Sequence, residues 1–180
     1  MDYSQYLKEM NSINENLLIK ARKIKLLILD VDGVMTDGKI IISEDGKESK
    51  SFYAQDGHGL VILRSMGIDL AIISGRYSKA VEFRGKELGF KKIIQKSRDK
   101  LGDFNKNFSG EYDLENVCFV GDDIVDLELL KKVGLAITVP NANYSELRAY
   151  SNWITPRSGG LGAVRDVCDL IYQSKKNELI

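Results

Sequence analysis

The sequence has few of the residue types on which several common catalytic sites depend. Its 180 residues include a single histidine, His58, so a zinc site built from several histidines is excluded. A Ser-His-Asp or Cys-His catalytic group would have to use that one position. Cys118 and Cys168 are the only 2 cysteines, and each stands in an apolar stretch far from the other. This placement favours reduced core thiols over a disulfide.

An excess of one charge and long apolar runs are lacking too. There are 26 basic and 26 acidic residues, so the formal net charge is zero and nucleic acid is not an expected partner. No apolar run reaches the ~18 residues of a membrane span, and residues 1–20 do not resemble a signal peptide. We therefore expect no membrane association and a cytoplasmic protein.

Short apolar runs alternate with longer amphipathic segments, which is typical of an α/β fold with a mainly parallel, Rossmann-like sheet and helices on both faces. Residues 24–180 are predicted to form a single domain, and residues 1–23 an N-terminal extension that is either a helix or a tail. Strands are predicted at 25–30, 68–74, 92–95, 117–121 and 135–139. Helices are predicted at 57–66, 78–88, 100–108, 124–132, 144–150 and 162–175.

Residues 38–54 interrupt this alternation with two β-prone arms around Asp45-Gly46, a strong hairpin signal. The first arm has isoleucine at each of positions 40–42, so both of its faces would be apolar. Exposed apolar edges are usually covered, so we expect this hairpin to take part in oligomerisation.

Two groups of carboxylates follow predicted strands, where ligands collect in open α/β sheets. Asp30 and Asp32 follow the first strand, and Asp122, Asp123 and Asp126 follow the strand at 117–121. Taken alone, the first group also fits an acidic turn and the second a helix cap. An EF-hand is excluded, because Val34, Met35 and Ile41 occupy its required positions. Carboxylates on two strand ends together predict a Mg²⁺ site.

A serine and a lysine stand at further strand and helix ends. Ser74 closes a predicted strand and is followed by Gly75, so its hydroxyl and the nearby amides suit a phosphoryl oxygen. Lys100 begins a predicted helix and would supply a fixed positive charge. Each signal is weak alone, since strand-Ser-Gly is common and most lysines are solvated.

The order Asp-x-Asp, Ser, Lys, Gly-Asp-Asp-x-x-Asp, from Asp30 to Asp126, resembles the haloacid dehalogenase superfamily over residues 25–139. A response-regulator receiver carries similar residues in another order. The resemblance implies an aspartyl-phosphate mechanism with Asp30 as nucleophile and Asp32 as acid and base. It also implies that Ser74 and Lys100 bind the phosphoryl group. In addition, it implies Mg²⁺ held by Asp30, the Asp32 carbonyl and Asp122, with Asp123 supporting the metal and Asp126 orienting Lys100.

The spacing between these motifs leaves no length for a cap domain of ~50 residues or more, so we expect a capless enzyme. An open site would be unselective, so closure by a neighbouring subunit is expected for a small substrate.

Further segments resemble the family of 3-deoxy-D-manno-octulosonate 8-phosphate phosphatases, which act in lipopolysaccharide precursor synthesis. These segments are Asp56-Gly57-His58-Gly59, Ser74-Gly75-Arg76, Arg84, Leu88-Gly89 and the run 159–168. The resemblance implies a homotetramer acting on a phosphorylated keto sugar acid, with each site closed by an adjacent subunit. It implies that Gly75, Arg76 and Arg84 bind substrate and that Arg165 lies on a segment folding over a site.

Two alternatives stay open at this point. Phosphatases of nine-carbon keto-acid 9-phosphates form a sister group, which tends to have Glu where this chain has Arg76. An inactive oligomerisation or regulatory module would be expected to lack a motif residue, whereas all are present. The chain departs from the eight-carbon family at Lys96, where glycine is frequent, and at Asn141-Ala142-Asn143.

Overall fold

The computed structural model describes residues 13–176, and its centre is a sheet of six parallel strands. In chain order the strands are β1 (Leu26–Leu29), β2 (Ile41–Ile42), β3 (Glu48–Ser49), β4 (Asp69–Ile73), β5 (Lys92–Ile94), β6 (Val117–Val120), β7 (Leu135–Thr138) and β8 (Trp153–Ile154). The strand order in the sheet is β5-β4-β1-β6-β7-β8, and every neighbouring pair is parallel. A separate antiparallel pair is formed by β2 and β3.

The central strands are covered on both faces. Every residue of β1, β6 and β7 is buried, which is the pattern of a parallel sheet between two helical layers. The predicted α/β fold is therefore confirmed, and the five strands predicted for its sheet are present. The sixth strand, β8, was not predicted, because two residues give no periodicity to detect.

The helices pack in two groups. In chain order the helices are α1 (Glu15–Arg22), α2 (Ala54–Ser65), α3 (Lys79–Leu88), α4 (Lys100–Asn107), α5 (Leu127–Leu130), α6 (Ser145–Tyr150) and α7 (Ala163–Lys176). The long C-terminal helix, α7, packs against α1 and α2, whereas α5 packs against α4 and α6. In the part of the chain that the structure describes, none of these helices has the length and apolar character that crossing a membrane requires.

The helix predicted at 124–132 is shorter than expected. Its first turn, Ile124–Asp126, is a 3₁₀ turn, and only Leu127–Leu130 is α-helical. The cause is local, because the Asp126 carboxylate accepts backbone N–H groups from the preceding turn and tightens it.

The described part of the N-terminal extension, residues 13–23, contains α1. Asn14 caps this helix by accepting the Leu17 N–H at 2.8 Å, and Leu17 and Ala21 are buried in the core. Hydrogen bonds join α1 to α7, since the Arg22 Nε donates to the Ser174 carbonyl at 3.0 Å. Residues 1–12 and 177–180 lie outside the described residues.

The predicted hairpin is present. Ile41 lies opposite Ser49, and Gly46 takes a φ of +78° in the turn. Ile40, Ile41 and Ile42 are 48%, 52% and 63% exposed. Its use in oligomerisation stays a prediction.

Candidate active site

The loop after β1 carries Asp30 and Asp32 in a tight turn. The Val31 carbonyl accepts the N–H groups of Met35 at 2.9 Å and Thr36 at 3.0 Å, which folds the loop back on the strand end. Gly33 has a φ of +94°, and a Cβ there would collide with the Asp122 carboxylate. The turn therefore requires glycine, and it brings the two acidic groups close together.

The Asp126 carboxylate holds the backbone of the second acidic group through hydrogen bonds. It is fully buried, and its Oδ2 accepts the N–H groups of Asp122 at 2.9 Å and Asp123 at 3.1 Å. Asp123 accepts the Ile124 N–H at 2.7 Å, so Asp123 and Asp126 do cap the turn. The Asp122 Oδ1 is buried and has no hydrogen-bond partner in the described residues. Asp122 therefore has a buried carboxylate oxygen that is open to a ligand.

Ser74 and Lys100 approach from neighbouring elements. Ser74 follows β4, where its N–H donates to the Ile94 carbonyl at 2.9 Å and its carbonyl accepts the Ser97 N–H at 3.0 Å. The Lys100 ammonium, 3% exposed, lies 2.9 Å from Asp30 Oδ1 and also contacts Asp126. The predicted orientation of Lys100 by Asp126 has this contact as its physical basis.

These groups share one cavity of about 320 Å³. The structure thus brings together residues that follow three strands, the first residue of α4 and two residues of the hairpin segment 38–54. The cavity is lined by Asp30, Asp32, Gly38, Ile40, Ser74, Gly75, Arg76, Lys100, Asp122, Asp123 and Val125.

The electrostatics of the site suit a divalent cation. Oxygens of Asp30, Asp122 and Asp126 all lie within 4.8 Å of one another. Burial, together with the neighbouring carboxylates, raises the pKa of Asp122 to about 8, and burial raises that of Asp30 to about 6 despite the Lys100 charge. A hard cation held by carboxylate oxygens would relieve this repulsion and use the orphaned Asp122 oxygen. The donor set therefore fits Mg²⁺.

The hairpin adds two side chains to the site that sequence reasoning missed. Lys50, with a side chain only 1% exposed, donates to the Asp32 Oδ1 and lies 3.0 Å from the Glu48 Oε1. Arg76 in turn bonds to the Glu48 Oε2 at 2.6 Å. Hydrogen bonds from Lys50 and Arg76 outweigh burial and hold the pKa of Glu48 below its usual value. The sequence did contain one signal for this pair, because Glu48 and Lys50 are two residues apart and such residues lie on the same face of a strand.

Two predicted substrate-binding residues do not line this cavity within the chain. Arg84 lies on α3, bonds to Glu87 at 2.8 Å and borders a separate cavity beside Gly57 and His58. Arg165 lies on α7 and bonds to Asp169 at 2.7 Å.

The segment after β8 packs against the loop after β1 that carries Asp30 and Asp32. The Gly160 N–H donates to the Val34 carbonyl at 3.1 Å, and neither Gly159 nor Gly160 has room for a Cβ. Asn141 bridges the two segments, donating to the Gly33 carbonyl at 2.9 Å and accepting the Gly159 N–H at 2.8 Å. Asn141 therefore buttresses the loop that carries Asp32.

Lys96 lies beside the Ser74 turn in an unfavourable conformation. Its φ of +61° is the one positive value for a non-glycine residue between residues 13 and 176. Its N–H donates to the Arg76 carbonyl at 3.4 Å, and its ammonium stands 5.1 Å from the Tyr77 ring centre. Glycine would adopt this conformation without the strain that Lys96 carries.

Comparison with known proteins gives consistent relatives, although no protein-family model matches the chain. The curated 3-deoxy-D-manno-octulosonate 8-phosphate phosphatase KdsC of Escherichia coli K12 is 40% identical over 169 residues, covering 92% of this chain and 89% of the relative. The crystal structure of the same-named phosphatase from Yersinia pestis matches with a TM-score of 0.88 and 38% identity, covering 91% of this chain and 89% of that one. The Moraxella catarrhalis phosphatase, crystallised with magnesium, phosphate and KDO, matches with a TM-score of 0.85 and 44% identity, covering 91% and 95%.

Proposed function

The chain belongs to the 3-deoxy-D-manno-octulosonate 8-phosphate phosphatase family of the haloacid dehalogenase superfamily, and from that membership we propose that it hydrolyses this phosphorylated keto sugar acid. The products are 3-deoxy-D-manno-octulosonate and phosphate, and the cofactor is Mg²⁺. The observation that carries the proposal is the single cavity in which Asp30, Asp32, Ser74, Lys100 and Asp122 meet.

Asp30 is the proposed nucleophile. One of its oxygens forms a bond to phosphorus while the bond between phosphorus and the sugar oxygen breaks, which leaves an aspartyl phosphate. Asp32 gives a proton to the departing oxygen and later takes one from the water that hydrolyses the aspartyl phosphate. Its place two residues after Asp30 on the same turn supports this role.

The surrounding groups stabilise negative charge on the phosphoryl group. The Lys100 ammonium is held beside Asp30 by Asp126, and its pKa stays above the usual value because these carboxylates outweigh the effect of burial. Ser74 and the Gly75 amide face the same cavity and suit the phosphoryl oxygens. Asp30, the Asp32 carbonyl and Asp122 would hold Mg²⁺, with Asp123 supporting it. Bound Mg²⁺ neutralises charge on the phosphate so that a carboxylate can approach.

Recognition of the sugar acid is assigned to arginines. Arg76 borders the cavity and is 47% exposed in its side chain, so its guanidinium is available to a substrate carboxylate. Arg84 and Arg165 do not line the active-site cavity of their own chain. In this proposal they contribute to the active site of a neighbouring subunit. A homotetramer with sites closed by neighbouring subunits is supported by the exposed isoleucines at 40–42. A cytoplasmic location is supported by the two buried, unpaired cysteines.

Phosphate release tests the proposal. Wild-type protein and Asp30→Asn are compared with Mg²⁺ and with EDTA, on the eight-carbon keto-acid 8-phosphate, a nine-carbon keto-acid 9-phosphate and a simple aryl phosphate. We expect Mg²⁺-dependent release that prefers the eight-carbon substrate and is lost in Asp30→Asn. Preference for the nine-carbon substrate would move the enzyme to the sister group with its mechanism intact. No release from any substrate would favour the inactive module, and activity of Asp30→Asn would contradict the nucleophile assignment.

A further inference from the structure

The hairpin reaches the active site of its own chain through two charged side chains, one in β3 and one on the residue that follows β3. Glu48 and Lys50 lie two positions apart and so project from the same face of the extended chain. Both meet groups of the catalytic cavity, Lys50 at Asp32 and Glu48 at Arg76. The hairpin is therefore part of the site, beyond any part it takes in assembly.

Lys50 treats the two oxygens of Asp32 differently. Its ammonium donates to Oδ1, whereas Oδ2 is buried and makes no hydrogen bond to any described residue. The Arg76 Nε lies 3.6 Å from Oδ2, which is beyond hydrogen-bond distance. The protein thus fixes one oxygen of Asp32 and leaves the other without a hydrogen-bond partner among the described residues.

Charged groups of alternating sign connect Lys50 to the site. Arg76, Glu48, Lys50 and Asp32 alternate in sign, and the buried ammonium lies between the two carboxylates. A buried lysine requires such partners, because an unpaired ammonium away from water is strongly unfavourable. Without the Lys50 charge, Asp32 and Glu48 would repel each other, and Asp32 would turn towards Arg76.

We propose that Lys50 is a positioning residue for acid catalysis, which holds Asp32 through Oδ1 so that Oδ2 delivers the proton to the departing sugar oxygen. The step balances simply, since the proton leaves Asp32 and the sugar oxygen gains it as its bond to phosphorus breaks. This inference rests on the proposed phosphatase function and deepens it. It assigns a residue outside the recognised motifs to the first chemical step.

The test uses leaving-group dependence. An alkyl leaving group needs protonation as it departs, whereas a nitrophenolate departs readily without it. Lys50→Met is therefore expected to lower kcat/KM for the eight-carbon keto-acid phosphate, and for a simple alkyl phosphate without a carboxylate, by about a hundredfold. For p-nitrophenyl phosphate the loss is expected to stay below about tenfold. The quantity kcat/KM is chosen because it reports the steps up to formation of the aspartyl phosphate.

Controls separate this role from a structural one. Lys47→Met removes an exposed lysine of the same hairpin, paired with Asp45, and should leave all three values unchanged. Lys50→Arg, which keeps a charged donor, should restore part of the alkyl activity. The ratio of alkyl to aryl values does not depend on the folded fraction, so it stays decisive even where a variant folds poorly.

Four results would decide against the inference or its premise. Equal losses on alkyl and aryl phosphates would mean that Lys50 only fastens the hairpin. A loss confined to KM for the keto-acid substrate would mean that it binds the sugar carboxylate. An unaffected Lys50→Met enzyme would overturn the inference while leaving the phosphatase function intact. A wild-type protein without activity would instead refute the proposed function.

Discussion

Asp56 is expected to lower the stability of the folded protein at neutral pH, and its replacement by asparagine measures by how much. The residue lies in the first turn of α2 and is only 4% exposed. Its Oδ1 accepts the Arg165 N–H at 2.8 Å, but its Oδ2 is buried without a hydrogen-bond partner in the described residues. Burial raises the pKa of Asp56 from 3.8 to about 6, although the Arg165 N–H and the Arg157 charge oppose the shift.

The sign of the effect follows from linkage. The folded pKa exceeds the unfolded one, so the folded state holds the proton more tightly, and stability falls as pH rises from about 4 to about 6. A shift of about two units corresponds to about 3 kcal/mol, of which between about 2 and 3 kcal/mol is lost between pH 4 and pH 8. Asp56→Asn keeps the acceptor for Arg165 and removes the charge. The stability of the variant relative to the wild type should therefore rise by that amount from pH 4 to pH 8.

Urea denaturation at pH 4 and pH 8, at one protein concentration and with EDTA, gives the unfolding free energy of both proteins at each pH. The quantity of interest is the change, from pH 4 to pH 8, in the difference between the variant and the wild type. Any fixed cost of burying the asparagine amide cancels, since it is the same at both pH values. In thermal melts the gain corresponds to about 2–4 °C for each kcal/mol in a chain of this size. Glu44→Gln, at the exposed hairpin tip, is the control and should show no such gain. A stability difference between Asp56→Asn and wild type that is the same at both pH values would refute the reasoning.

Three further predictions concern the candidate active site and the turn beside it. Gly33→Ala should abolish Mg²⁺-dependent turnover, because its Cβ would collide with Asp122. Gly46 has a similar φ but open space around it. Gly46→Ala should therefore keep activity and lose about 1–2 kcal/mol of stability in urea titrations. Lys96→Gly should raise the unfolding free energy by about 1 kcal/mol, and an unchanged or lower melting temperature would contradict the assigned strain. Mg²⁺ at a hundred times its Kd should stabilise the wild type by about 2.7 kcal/mol in calorimetry, and Asp122→Asn, which removes a carboxylate of the proposed ligand set, should show little of this effect.

The residues at strand ends could be placed from sequence because the fold rule determines where they meet. Asp30, Ser74 and Asp122 each follow a parallel strand, and all such strands deliver their carboxyl ends to one edge of the sheet. Lys100 follows the same logic, since it begins the helix after β5. Local sequence therefore carried enough information to bring these side chains together.

The hairpin contribution could not be placed in this way. Glu48 and Lys50 sit on a separate two-stranded element whose position relative to the sheet depends on tertiary packing. Their charges read in sequence as the solvated face of a hairpin, and only the structure reveals the nearly complete burial of Lys50. In sequence Asn141 is only a departure from the family pattern, whereas in the structure its hydrogen bonds join it to Gly33 and Gly159 beside the loop that carries Asp32.

These placements connect assembly with chemistry through one small element. The hairpin leaves the isoleucines at 40–42 exposed while its other arm presents Lys50 to Asp32. Two strands of two residues each are too short to hold a fixed position alone, because an isolated hairpin is marginal in water. Burying the isoleucines in an oligomer would restrain the hairpin and with it the ammonium that fixes Oδ1 of Asp32. In a capless phosphatase with such a hairpin, the same contact between subunits would then both close the active site and align Asp32.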